Sequence, residues 1–165
     1  MERFNDPAGG FFDTPHDGET LLIRPKDIQD NATPCGNSLA CEALLKLAEF
    51  TGEGKYRDAA ETSLALVTGF TLRYPLGFGR WLSAAEQASG TMKQVALLGD
   101  AGEANFERMI QAVRADYRPG VVVAASFHPI QEDAPALLRD RNLLIEKATA
   151  YVCEGFVCKQ PVTEV

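Results

Sequence analysis

Thr33-Pro34-Cys35-Gly36-Asn37-Ser38 is where a charged, irregular lead-in gives way to a helical period, and the reading of the fold starts there. A threonine hydroxyl can accept a free amide at a helix start, and proline suits the first helical position because the N–H it lacks would be unpaired anyway. The stretch therefore predicts a helix from about residue 34, capped by Thr33. Leu39, Ala40, Ala43, Leu44, Leu47 and Ala48 follow at three-four spacing, which marks them as its buried face, and Thr51-Gly52-Glu53-Gly54 stops it after Phe50.

Downstream the period resumes at once. Tyr56, Ala59, Ala60, Ser63, Leu64, Val67 and Phe70 predict a second helix, ended by Pro75 and joined to the first by a link short enough to make an antiparallel αα-hairpin. Phe78, Trp81, Leu82, Ala85 and Ala88 predict a third, closed by Ser89-Gly90. Then the texture changes. Gln94–Leu98 is a continuous apolar run, Phe106, Met109, Ile110, Val113 and Tyr117 mark a helix, and Val121–Ala125 is a second apolar run. A crossover of that length predicts a βαβ unit with parallel strands buried on both faces. Residues 128–142 read as a loop with one helical turn near Ala136-Leu137-Leu138; Thr149–Cys153 predicts a third strand, with Phe156-Val157-Cys158 turning back beside it.

Upstream of the first helix, Gly9–Thr14 and Thr20–Arg24 are separated by a polar loop containing Pro15, His16, Asp17 and Gly18, which predicts a β-hairpin. The expected fold is mixed α and β, mainly α. A helical-hairpin lobe over residues 1–90, opened by the β-hairpin, is followed by a small α/β lobe over residues 91–165 containing the βαβ unit.

At 165 residues the chain can bury about 70% of its unfolded surface, enough for an ordinary core. A net charge of -7, with 16 scattered Lys and Arg, argues against a nucleic-acid partner, whose affinity comes from clustered cations. No apolar run is long enough to span a bilayer, and residues 1–20 lack the pattern of a secretory signal, so no membrane partner is expected and cytoplasm is the expected location. Four cysteines make no disulfide framework here, and reduced thiols are the first expectation.

For Cys153 and Cys158, the intervening Glu154-Gly155-Phe156-Val157 suits a tight turn that allows a reversible disulfide, while the spacing and the habits of free cysteine favour structural thiols. Cys35 and Cys41 face different sides of a helix and offer no four-ligand set, so no metal is expected. Gly99-Asp100-Ala101-Gly102 lacks the third glycine of a dinucleotide fingerprint and the Gly-Lys-Ser/Thr of a P-loop, so no cofactor is expected. His16 reads as a solvent-facing turn residue more readily than as a proton carrier beside Asp13 and Asp17.

Gly10-Phe11-Phe12-Asp13-Thr14, Leu22-Ile23-Arg24-Pro25-Lys26-Asp27, Asp30–Ser38, and Ala150-Tyr151-Val152-Cys153 with Cys158 and Pro161 together carry a resemblance. They are similar to the C-terminal region of the spermatogenesis-associated protein 20 family of thioredoxin-domain proteins. Members of that family place a thioredoxin-like domain ahead of a helical toroid similar to six-hairpin glycosidases and sugar epimerases. The resemblance covers almost the whole chain and implies a C-terminal excerpt holding the last part of the toroid and a small α/β appendage, inactive on its own. Its implied partners are the remainder of the full-length protein, both toroid and thioredoxin-like domain, and a carbohydrate-type small molecule. Where the family usually reads Pro-Ser-Gly-Asn-Ser, this chain has Pro34-Cys35-Gly36-Asn37-Ser38.

The links before toroid helices line a cavity mouth, so the resemblance makes Asp27 and Asp30 candidate catalytic carboxylates; glycoside hydrolysis needs such a pair about 5–10 Å apart. Arg24 and Lys26 become candidate substrate-binding cations, and Asn37, in the first helical turn, a third candidate contact. The plainer alternative stands beside each: Asp27 pairs with Arg24 or Lys26, Asp30 fixes its loop through backbone amides, and the Gly36-Asn37 turn packs closely against a neighbour. In that case the chain is a structural or interaction module with no chemistry of its own.

Overall fold

Three α-helices precede the first strand, and a fourth lies between the first two strands. The computed structural model describes every residue except Thr20, and its elements run α1 Gly36–Thr51, α2 Gly54–Arg73, a 3-10 turn Pro75–Gly77, α3 Gly79–Ser89, β1 Lys93–Gly99, α4 Ala104–Arg114, β2 Val121–Phe127, β3 Thr149–Glu154 and β4 Val157–Cys158. The chain divides into two compact units, one comprising Met1–Ala48 and Glu53–Ser89, the other Glu49–Gly52 and Gly90–Val165.

In the first unit, α1 begins two residues later than the sequence suggests, and its cap is Cys35 rather than Thr33. The Cys35 carbonyl accepts the Leu39 amide at 3.2 Å, and its Sγ accepts the Ser38 amide at 3.4 Å. The thiol thus fills the place of a capping hydroxyl, bonding the amide three residues on. α2 returns along α1, and the Cys41 thiol donates to the Ala60 carbonyl at 3.4 Å where the two meet. Trp81 of α3 is fully buried, its indole N–H donating to the Ile28 carbonyl at 2.9 Å.

The buried face of α1 is rotated from the expected one. Asn37, Ser38, Cys41, Glu42, Leu44, Leu45 and Ala48 point inward, whereas Leu39, Ala43 and Leu47 are exposed. The reason is polar: Asn37, Ser38 and Glu42 each find partners inside, and a satisfied buried polar group costs little compared with an unsatisfied one. A stripe at i, i+4, i+8 spacing is therefore left outward as an apolar surface.

The β-hairpin expected over residues 9–24 is not formed among the described residues; Thr20 lies outside them. A single bridge pairs Asn5 with Phe11, and Leu22 and Ile23 stand 105% and 83% exposed. The backbone groups that would build a ladder have other partners. Asp13 N–H donates to the Pro25 carbonyl at 2.9 Å, Phe12 N–H to the Phe4 carbonyl at 2.7 Å, and Phe11 pairs with the Asn37 side chain. Pro15 and Pro25 have no amide to offer.

The second unit is built on a four-stranded mixed sheet in the order β2-β1-β3-β4. β1 and β2 are parallel, with Val95 opposite Val123, and α4 is their crossover; β3 runs antiparallel to β1, with Ala96 opposite Tyr151. Phe106 and Met109 of α4 pack with Val95, Leu97, Ala148 and Ala150 in one core cluster. Gly99 makes this possible: a Cβ there would lie 2.5 Å from Phe106 Cγ. β1 is central and buried from Gln94 to Gly99, as a strand covered on both faces should be. β2 is not so covered. As an edge strand it alternates, with Val122 and Ala124 buried and Val123, Ala125 and Phe127 exposed. α4 ends at Arg114, leaving Tyr117 exposed beyond it.

Cys153 and Cys158 oppose each other across β3 and β4 and are joined as a disulfide. The expectation of reduced thiols is thereby corrected. The turn sets the pairing: Gly155 and Phe156 adopt φ of 56° and 63°, the left-handed pair that a two-residue hairpin loop requires.

Candidate functional site

The polar corner ahead of α1 is assembled from the candidate residues, and nearly every polar atom in it has an internal partner. Asp30 is the hub. Its carboxylate accepts the Ser38 hydroxyl at 2.7 Å, the Cys35 amide at 3.0 Å, and the Arg80 and Trp81 amides at 2.8 and 3.4 Å. It therefore serves the N-termini of α1 and α3 together, where free amides and helix dipoles both favour a negative charge. Burial by itself would raise the Asp30 pKa, but the hydrogen bonds from Ser38, Cys35, Arg80 and Trp81 outweigh it and hold the carboxyl below its ordinary value.

Asn37 is equally occupied. Its side-chain amide donates to the Phe11 and Asp27 carbonyls at 2.8 Å each, and its oxygen accepts the Phe11 amide at 2.7 Å. Lys26 Nζ donates to the Gly9 carbonyl at 2.6 Å and to Asp6 at 2.9 Å. Arg24 reaches the Thr14 and Arg3 carbonyls and lies 4.0 Å above the Phe12 ring. Asp27 is exposed, and one of its oxygens accepts the Gln29 amide at 3.0 Å in an Asx turn. The structure brings all five candidates into one corner, where Asp30 and Asn37 tie the 1–35 arm to the helices while the side chains of Arg24, Lys26 and Asp27 bond within the arm.

Beside this corner lies a groove of about 530 Å³ along α1. Phe4, Phe11 and Phe12 form one wall, and Ala40, Ala43 and Leu47 form the other. Among the described residues, only Asp13 and Asn37 bring polar side chains to it. Neither Asp27 nor Asp30 lines the groove. Asp13, whose Oδ2 accepts the Asp27 amide at 2.9 Å, is the carboxylate that sequence reasoning missed. Its signal is the Phe11-Phe12-Asp13 run, which has the composition of a strand and lines the groove instead.

Inside the same unit Glu42 forms ion pairs with Lys46 and Arg80, each at 2.6 Å. Burial would raise its pKa, yet Lys46, Gln87 and Arg80 bring the net shift below the ordinary value. The Cys41 thiol is pushed up to about 12 by burial and by the Glu42 charge. Among the described residues no group of three His, Cys, Asp or Glu side chains is placed to hold a metal ion, and no helix is long and apolar enough to cross a membrane.

No protein-family model matches the chain. Individual proteins do. Over 169 residues, 98% of the chain, it is 31% identical to spermatogenesis-associated protein 20 of Homo sapiens. The chain is homologous to a stretch of spermatogenesis-associated protein 20. The Mus musculus and Rattus norvegicus proteins of that name agree, at 30% identity over 170 residues and 29% over 165. The chain spans about a fifth of the length of these curated relatives, 21% of the human one. The similarity covers 98% of the chain and so runs through both units.

Proposed function

We propose that this chain is the C-terminal portion of a larger helical protein of the spermatogenesis-associated protein 20 kind, and that it acts there as a docking module. In that role the groove beside α1 receives helices from the remainder of the protein. The observation that carries this reading is the contrast between corner and groove. The polar candidates close on backbone groups and on Asp6 and Ser38, whereas the adjoining concave surface is apolar and wide enough for large side chains. Apolar surface of this kind marks a place where something else packs. Cytoplasm fits a chain whose helices carry no membrane-spanning segment, and is part of the same proposal.

A second reading rests on Asp13. It stands at the polar end of the groove, one hydrogen bond from exposed Asp27. In a glycosidase- or epimerase-like toroid these two would share the carboxylate chemistry, with Arg24, Lys26 and Asn37 shaping a carbohydrate-type pocket and Asp30 holding the helices beneath it.

The test is to produce this chain and the remainder of the full-length protein as separate polypeptides in one cell. The docking reading expects them to co-purify at equal stoichiometry. Ala43→Arg should abolish that while changing the melting of the isolated chain by no more than about 0.5 kcal/mol, as for an exposed helical site. Absence of co-purification of the unaltered pair counts against docking. Calorimetric sugar binding by the full-length protein, lost in both Asp13→Asn and Asp27→Asn, would favour the second reading.

A further inference from the structure

Arg141 lies against both sulfurs of the Cys153–Cys158 pair. Its Nη1 is 3.1 Å from Cys158 Sγ and its Nη2 is 3.5 Å from Cys153 Sγ, while Nε donates to the Leu137 carbonyl at 2.6 Å and the guanidinium carbon sits 4.9 Å from the centre of the Tyr151 ring. The guanidinium is half-buried, and no carboxylate pairs with it among the described residues. The nearest acid in sequence on this hairpin, Glu154, faces Lys93 of β1 at 3.9 Å instead.

Disulfide sulfur is a poor acceptor for a charged donor, whereas a thiolate is a strong one. The cation is therefore better matched to the reduced pair than to the oxidised one. The two sulfurs also differ in access, since Cys153 is fully buried and Cys158 is partly exposed.

We propose that Cys153, Cys158 and Arg141 form a redox-active site that exchanges with dithiol reductants. A reductant thiolate reaches Cys158 Sγ from solvent and forms a mixed disulfide. The Cys153–Cys158 bond breaks, and its electron pair leaves on Cys153 as a thiolate held by Arg141. The second thiol of the reductant then attacks the mixed disulfide as a thiolate, releasing Cys158 and closing the reductant's own disulfide. Two electrons pass from reductant to protein. Of the two protons lost by the reductant thiols, one goes to Cys158 and the other to solvent while Cys153 stays ionised. In the reverse direction the reduced pair would deliver two electrons to a disulfide of suitable potential. The groups on the face of the pair are Arg141 from the loop, the Tyr151 ring two residues back on the same strand, and the Glu49 carboxylate, which accepts a hydrogen bond from Gln94, the residue opposite Cys153 on β1; Lys93 and Glu154 alternate to the other face of the sheet. This site lies in the sheet-bearing unit and does not depend on the docking reading.

The experiment equilibrates the 165-residue chain with graded ratios of reduced to oxidised dithiothreitol, traps thiols by alkylation, and reads the Cys153–Cys158 peptide by mass. The unaltered chain should be oxidised in air, and its disulfide should open at a reductant ratio on the order of tenfold lower than that of Arg141→Gln, or about 30 mV for a two-electron couple. Arg141→Lys, which keeps the charge and loses the fork, should fall between them. Equal midpoints for the unaltered chain and Arg141→Gln would overturn the proposal, as would thiols that remain unpaired in air. Should Arg141→Gln fail to fold, the pH profile of alkylation of the reduced, unaltered chain decides. An apparent thiol pKa clearly below the ordinary value of about 8.5 supports the site, and one at or above it removes it.

Discussion

Asp30 Oδ2 accepts the backbone amide of Arg80 at 2.8 Å, which fastens the start of α3 to the same carboxylate that holds the start of α1. The two residues are fifty positions apart, so the bond is tertiary although it works as a helix cap. A charge-assisted cap of this kind is worth more than a neutral one, and removing it leaves buried amides without partners.

Asp30→Ala should therefore destabilise the first unit by about 2–4 kcal/mol, with Asp30→Asn at the lower end because the amide oxygen still accepts. Chemical denaturation followed by Trp81 fluorescence measures it. A change below about 0.5 kcal/mol, typical of a surface site, would contradict the assignment.

The same carboxyl fixes a pH dependence. Unfolded, Asp30 titrates near 3.8; folded, it titrates lower. The unfolded chain then binds the proton more readily, so the contribution of Asp30 is complete above pH 3.8 and is lost as pH falls through the folded value. Glu42, lowered from 4.5, acts in the same direction. Denaturation midpoints measured from pH 6 down to about pH 2.5 should fall for the unaltered chain and fall less steeply for Asp30→Asn.

Asn37→Ala should release the 1–35 arm from α1, since one side chain supplies three of its anchoring hydrogen bonds. The expected cost is about 2–3 kcal/mol. Hydrogen exchange distinguishes it from a general loss of stability: amides of Phe11 and Asp13 should lose protection while those of β1 keep it.

Gly99→Ala should destabilise the sheet-bearing unit by about 1–3 kcal/mol, because the new methyl would overlap the Phe106 ring. Phe106→Leu in the same chain should recover part of that loss. Thermal unfolding of the two single variants and the double variant provides the cycle.

Cys41, with its thiol pushed up to about 12, should resist alkylation at pH 8 in the folded chain and react once denaturant is added. Peptide mapping after a timed iodoacetamide pulse checks this, and rapid labelling of Cys41 in the native state would contradict its burial.

Element types were legible wherever the pattern was local. The three-four spacing of α2, the apolar runs of β1 and β2, the crossover at α4 and the return of β4 beside β3 are all written in nearest-neighbour chemistry, and each formed. The arm was not legible, because Phe11, Phe12 and Asp13 have the composition of a strand, and their backbone groups are claimed by Asn37 and Pro25, residues the local pattern does not connect to them. The α1 face was misplaced for a related reason. Periodicity counts apolar residues and cannot foresee that Asn37, Ser38 and Glu42 find partners inside, which removes most of the cost of burying them.

By itself the sequence determined the succession of helices and strands, the parallel pairing around α4, and a similarity that covers 98% of the chain. Tertiary structure decided what individual residues do. It made Asp30 a double cap, left Asp13 in the groove, and set Arg141 against two sulfurs, because a side chain's role depends on which donors, acceptors and charges the fold brings within about 3 Å, and that distance is set by packing between segments far apart in the chain.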